Sequence, residues 1–425
     1  MQTQTFPINN PEQFKTQALY WANAFDTACY FDSNQYNTDA YSAFDVVVAA
    51  GVQREISCPA AQAFDELDKF LEGNSTYIPG FLSYDLKNET EKLESNNPDQ
   101  LDFPDLYFFA PQHLIIIRGN EASISSKDVK WVWETIQQTE INPVSKTNFN
   151  GRVQNRVSKK DYIDTVQQIQ QNIRQGDIYE MNFCQEFYAE HFRIDPLGIF
   201  SELNRVSPTP FSSFFKHNQQ YILSATPERF LSKRGQKLIS QPIKGTAKRQ
   251  NDLAKDEKAK KDLLYSEKER SENVMIVDLV RNDLTKSAQP GSVQVEELFG
   301  IYTFQQVHQM ISTVVCQARE DLTNPQIIKN TFPMGSMTGA PKIRAMELIE
   351  KYERSKRGIY SGALGYFSPT GDFDFNVVIR TILYNDQNQY LSFHVGSAIT
   401  IDSVPELEYQ ECLLKAEAIF SVLKR

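Results

Sequence analysis

At 425 residues, 40% hydrophobic and 23% charged, the chain has ordinary globular composition and is long enough to bury one large core or two medium ones. A net charge of -10, with no basic stripe interleaved with aromatics, argues against a nucleic-acid partner, and no apolar run approaches the roughly 18 residues that span a bilayer. The five cysteines are scattered and never in a CxxC pair, and the opening MQTQTFPINN has neither a basic start nor an apolar segment, so a cytoplasmic protein with reduced thiols is expected.

In chain order, the runs DVVVAAG from Asp45 and HLIIIRG from His113 are short and β-branched and predict strands of a buried sheet. The polar stretch 139–159 carries a Pro and a Gly and no sustained periodicity. It predicts a linker between a first domain, residues 1–140, and a second, residues 158–425. Beyond it, Ser158 with Asp161 marks a helix start, Tyr162, Val166, Ile169 and Ile173 recur at helical spacing, and Gly176 stops the helix. IYEMNFCQEFY alternates like a strand. FDFNVVIRTILY and YLSFHVGSAITI read as further strands, and SEKERSENVMIVDLV and PELEYQECLLKAEAIFSVL as helices. Ser403 and Glu406 stand in capping-box spacing at the start of the last of these, with Pro405 in its first turn. Strands arriving in runs, with helices placed irregularly among them, predict an α+β fold rather than an alternating parallel one.

Several residues can carry chemistry. Glu269 and Glu272 share one helix face, and Glu408, Glu411 and Lys415 share another. Two helices offering carboxylates can hold a hard divalent cation such as Mg²⁺, although helix carboxylates more often form a solvated face. Lys244, in QPIKGT, is either a solvated ammonium or, if buried, a nucleophilic amine. Arg380 sits in the apolar strand VVIRTILY, where an unpaired charge is expensive, so it should face a carboxylate of the protein or of a ligand. HVGSAIT is either a backbone approach to an anion or a plain bulged strand, and FPMGSMTGAPKIRAMELIE either an anion site at a helix N-terminus or a plain helix start. His308 can hydrogen-bond a hydroxyl or be an ordinary satisfied histidine.

Taken together, PIKGT, SENVMIVDLVRND, TGAPKIRAMELIE, GIYSGALGY and GSAIT with EYQECLLKA resemble, in order and from about Asp161 to the C-terminus, the chorismate-binding enzyme family. The resemblance implies two large antiparallel β-sheets packed as a sandwich with helices outside. It implies Mg²⁺ held by Glu272 and Glu411, with Glu408 linked through water, gripping the ring carboxylate of chorismate. Gly245, Thr246, Gly396, Ser397 and Ala398 resemble the rest of the carboxylate cradle. Tyr360 and Arg380 match the clamp for the enolpyruvyl carboxylate, and Lys415 adds positive charge near the metal end. Glu228, in SATPERF, matches the general acid for the C4 hydroxyl, and His308 a residue near that hydroxyl.

Lys244 is the discriminating letter, because members that form anthranilate usually have alanine there. The chain is therefore similar to the branch that aminates chorismate to 4-amino-4-deoxychorismate for 4-aminobenzoate and folate. Anthranilate formation and a catalytically silent binding subunit are the alternatives. The implied mechanism has Lys244 attack ring C2 as the C4 hydroxyl leaves, then ammonia attack C4 and expel the lysine. No glutaminase nucleophile motif is present, so ammonia is expected from a separate glutaminase subunit. Glu180 stands where members making this product often have Gln and hydroxylating members a base-like Lys, which leaves its own role open.

Overall fold

The structure, a computed structural model, describes residues 1–36, 39–141 and 153–423, so most of the expected linker lies outside the described residues. Every strand pairing is antiparallel, and the strands of the described residues join in one hydrogen-bonded network. Side chains alternate across it, as the pleat requires. In the strand Thr27–Asp32, Ala28 and Tyr30 enter one core while Cys29 and Phe31 enter the other; in Val46–Cys58, Val46, Val48 and Ala50 oppose Val47 and Ala49.

The first core takes the apolar faces of helices, among them Pro11–Asn23 through Phe14, Lys159–Gln175 through Tyr162 and Val166, and Pro405–Lys415 through Tyr409 and Cys412. The second core lies between facing strands. Phe81 and Phe215 belong to strands that do not pair with each other, yet their rings meet edge-on at 5.4 Å. Ile276, Val277 and Val280 of the helix Glu267–Thr285 close this core from one side. Each such buried side chain contributes about 1.5–3 kcal/mol of apolar burial. The result is the expected α+β sandwich with helices outside, its two sheets continuous through shared strands.

Strands from both sides of the 139–159 stretch share ladders: Asp32 pairs with Ser212, and Ile78 with Phe367. The helix Lys159–Gln175 has the caps the sequence predicts, with the Ser158 hydroxyl accepting from Asp161 N–H at 3.1 Å and Gly176 left-handed at φ 83°.

Two local expectations are corrected. FDFNVVIRTILY is not one strand but two, Phe373–Val377 and Thr381–Asn385. Between them Arg380 adopts φ 51°, a conformation that breaks a ladder, so its side chain leaves a bend rather than a strand. The final helix is split at Ala416 into Pro405–Lys415 and Glu417–Leu423, and the capping box does not form. Val404 is the cap residue, the Ser403 hydroxyl instead accepts from Thr400 N–H at 3.1 Å, and the Glu406 carboxylate pairs with Lys159 at 2.6 Å. An ion pair and a turn bond have taken the two groups that the box would have used.

Candidate active site

Lys244 lies on the strand Ile243–Lys248, which pairs with Val307–Gln317 through an irregular register between Ile243 and Thr246. Gly245 follows it at φ 95°, a left-handed conformation that suits glycine. Only 10% of the Lys244 side chain is exposed, and its Nζ donates to Glu180 Oε1 at 2.9 Å. Burial works to lower the pKa of this ammonium, but Glu180, Glu272 and Glu228 outweigh it and hold the group above the usual lysine value.

Glu180 opens the strand Glu180–Ala189 and pairs with Ala340 across the short Gly339–Ala340 bridge, where Gly339 pairs with Met181. A side chain at Gly339 would overlap the Glu180 carbonyl oxygen. The second carboxylate oxygen of Glu180, Oε2, is buried and has no hydrogen-bond partner.

Glu228 sits in the turn between the strands Gln220–Thr226 and Arg229–Arg234 and is 4% exposed. Burial pushes its pKa up to about 7, against the Ser336 hydroxyl, Lys244, the Ile243 backbone N–H and Arg380. It can therefore carry a proton near neutrality, as a general acid must. Burial pulls the Arg380 guanidinium below its usual value, opposed by Glu228, and no carboxylate of the described residues lies within 4 Å of it. A cation held this way calls for an anionic ligand. Tyr360 is buried, its hydroxyl 3.5 Å from Cys184 Sγ and its ring stacked on His394 at 5.0 Å between centroids.

The acidic side chains come from two helices. Glu269 and Glu272 lie on Glu267–Thr285, and Glu408 and Glu411 on Pro405–Lys415. All four act electrostatically on the ammonium of Lys268. Lys268 Nζ is 3.8 Å from Glu272 Oε1, while Lys415 Nζ is 2.7 Å from Glu411 Oε1 and donates to Gly396 O at 3.0 Å. Burial raises the Glu272 pKa to about 7, with Glu269 and Glu180 adding to it and Lys244 and Lys268 opposing. Lys415 holds Glu411 below the usual carboxylate range.

No three His, Cys, Asp or Glu among the described residues stand close enough to chelate an ion by themselves. The donors present are hard carboxylate oxygens, and the raised Glu272 is short of positive charge. That donor set fits a hard divalent ion bound through few protein oxygens, the rest coming from water and substrate.

The remaining expected residues fall in two groups. Gly245 and Thr246 flank Lys244, and Gly396, Ser397 and Ala398 lie on the strand Tyr390–Ile399, opposite Cys184, Phe183 and Asn182. A Cβ at Gly396 would overlap the Phe183 carbonyl, so that backbone approaches its neighbour more closely than any side chain allows. His308 is fully buried, and both ring nitrogens are engaged, Nε2 with Asp256 at 2.9 Å and Nδ1 with Thr303 at 3.0 Å. Sequence reasoning passed over Ser336 and Lys268. The i,i+4 spacing of Lys268 to Glu272 was a visible signal, whereas nothing in the sequence placed Ser336 beside Glu228.

Residues 16–421 match the model of the chorismate binding enzyme family, and the chain belongs to that family. It is 34% identical to aminodeoxychorismate synthase component 1 of Escherichia coli over 349 residues, covering 81% of this chain and 76% of the relative. Against anthranilate synthase component 1 of Aquifex aeolicus it is 29% identical over 398 residues, covering 87% and 80%. Among solved structures, anthranilate synthase component I of Streptococcus pneumoniae superposes with a TM-score of 0.77 at 25% identity, over 89% of this chain and 91% of that one. The menaquinone-specific isochorismate synthase of Escherichia coli shares the fold at TM-score 0.79 and 16% identity, over 99% and 94%.

Proposed function

We propose that the chain converts chorismate and ammonia to 4-amino-4-deoxychorismate, with Mg²⁺ bound and ammonia supplied by a separate glutaminase subunit. The observation that carries this reading is the buried Lys244 amine, enclosed by Glu180, Glu228 and Glu272. Relatives named aminodeoxychorismate synthase component 1, at 32–35% identity in four bacteria, support the product, and the word component in those names supports a second subunit.

In this mechanism Lys244 Nζ attacks ring C2 while Glu228 gives its proton to the departing C4 hydroxyl. Ammonia then attacks C4 and the C2–N bond breaks, releasing the lysine. Splitting one substitution into two replaces a hard step with easier ones. Arg380 and Tyr360 hold the enolpyruvyl carboxylate, and the backbone of Gly245, Thr246, Gly396, Ser397 and Ala398, with Lys415 nearby, receives the ring carboxylate. Glu272 and Glu411, with Glu408 beside them, would hold Mg²⁺, which would supply fixed positive charge for that carboxylate. His308, fixed by Asp256 and Thr303, acts by shaping the wall near the hydroxyl.

Incubation of the protein with chorismate, Mg²⁺ and an ammonium salt tests substrate, metal and product together. A product that yields 4-aminobenzoate only after a lyase is added is expected. Fluorescent anthranilate with released pyruvate would overturn the reading, and full activity in Lys244→Ala would show a different chemistry.

A further inference from the structure

The amination reading asks Lys244 to act as a nucleophile, yet its surroundings hold it as an ammonium. An ammonium has no lone pair, so a proton must leave before the C–N bond forms. Once substrate covers the site, water cannot carry that proton away.

We propose, resting on that reading, that Glu180 is the general base that takes the proton from Lys244 Nζ and returns it at the end of each turnover. Three observations carry this. Glu180 Oε1 is 2.9 Å from Nζ, and among the described residues no other carboxylate stands within 4 Å of that nitrogen. The pair is buried, with 10% of the lysine and 2% of the glutamate side chain exposed. Glu180 Oε2 has no donor among the described residues. A carboxylate that touches Nζ and has an oxygen without a donor keeps acceptor lone pairs free for the proton. Gly339 packs against the Glu180 backbone, where no side chain would fit.

The step balances. The proton passes from Lys244 to Glu180 Oε1, and the free amine then forms the bond to C2. The proton of Glu228 leaves with the C4 hydroxyl as water. When ammonia attacks C4 and the C2–N bond to Lys244 breaks, the new C4 ammonium returns a proton to Glu228, and the released Lys244 amine recovers its proton from Glu180. No oxidant or reductant is involved. Five carboxyl groups act electrostatically on Lys244: Glu180 from its strand, Glu228 from its turn, Glu269 and Glu272 from one helix and Glu411 from another. Only Glu180 touches it.

The test is a single turnover of the full chain with chorismate and Mg²⁺, without ammonia. It is quenched and read as the mass of the Lys244 peptide, where the adduct adds chorismate less one water. In Glu180→Gln the adduct should form about 10²-fold more slowly at neutral pH, the low end of what a positioned base contributes. Chorismate binding should be unchanged, and the rate should rise with pH up to about 7, as more Lys244 is deprotonated by solvent before chorismate covers the site, and then flatten as Glu228 loses its proton. Glu180→Asp, which keeps a carboxylate, should recover part of the rate. An adduct rate and pH profile in Glu180→Gln equal to the wild type, or a folded Glu180→Asp no faster than Glu180→Gln, overturns the assignment of Glu180 alone. A wild-type enzyme that never labels Lys244 overturns the covalent reading and this proposal together.

Discussion

Lys415 binds two partners at once: its Nζ lies 2.7 Å from Glu411 Oε1 and 3.0 Å from the carbonyl oxygen of Gly396. If Glu411 is a metal ligand, as proposed above, an ammonium on its carboxylate competes with the metal. In Lys415→Met, Mg²⁺ should bind about fivefold more tightly in the absence of chorismate, the equivalent of an ion pair of about 1 kcal/mol. Isothermal titration of Mg²⁺ into both proteins checks this, and weaker binding in the variant would show that Lys415 orients Glu411 rather than competing for it.

Glu228 sets the alkaline limb. Its pKa is raised to about 7, and the proposed step needs the protonated form, which is present below that value and lost above it. Turnover should decline as pH rises through about 7. Glu228→Gln should lose this limb and about 10²–10⁴ of kcat. Steady-state rates from acid to alkaline pH measure both effects.

Metal binding should run the other way with pH. Glu272 must be ionised to serve as a ligand, and burial raises it to about 7. Below that pH the apparent affinity for Mg²⁺ should fall about tenfold per unit as protons compete. Calorimetry in two buffers of different ionisation enthalpy should show proton release on binding, and a pH-independent affinity would remove Glu272 from the ligand set.

Gly339→Ala should be destabilising. The residue is at φ 155°, and a Cβ would overlap the Glu180 carbonyl oxygen. Strain of this kind costs about 1–3 kcal/mol, with overpacking in addition. Denaturant melts measure the loss, and the variant that remains folded should lose turnover because Glu180 is displaced from Lys244.

Arg229 is almost wholly buried, 2.7 Å from Asp39 and 3.0 Å from Asp374. Arg229→Met leaves the largely buried Asp39 without its ion-pair partner, while Asp374 keeps Arg234 at 2.6 Å, and should cost about 3–5 kcal/mol. A variant as stable as the wild type would mean that water replaces the guanidinium.

The strands and capped helices were legible where periodicity and turn chemistry agreed, as at Ser158 and Gly176. The order of the motifs carried the family. Arg380 was misread because an apolar run with one charge looks like a strand, and only the left-handed bend at that residue reveals otherwise. Ser403 and Glu406 had box spacing, but tertiary partners took both groups. The Lys244–Glu180 bond joins residues 64 positions apart, a relationship that no local pattern can express.

The strand Tyr390–Ile399 lies between Glu180–Ala189 on one side and Thr381–Asn385 on the other. During synthesis, the 180–189 strand therefore waits for more than two hundred further residues before its neighbour exists. Until then it presents an open row of backbone donors and acceptors, the kind of edge on which chains stick to one another. That delay leaves the strand open to such contacts on the ribosome, and a helper that shields nascent strands would act there.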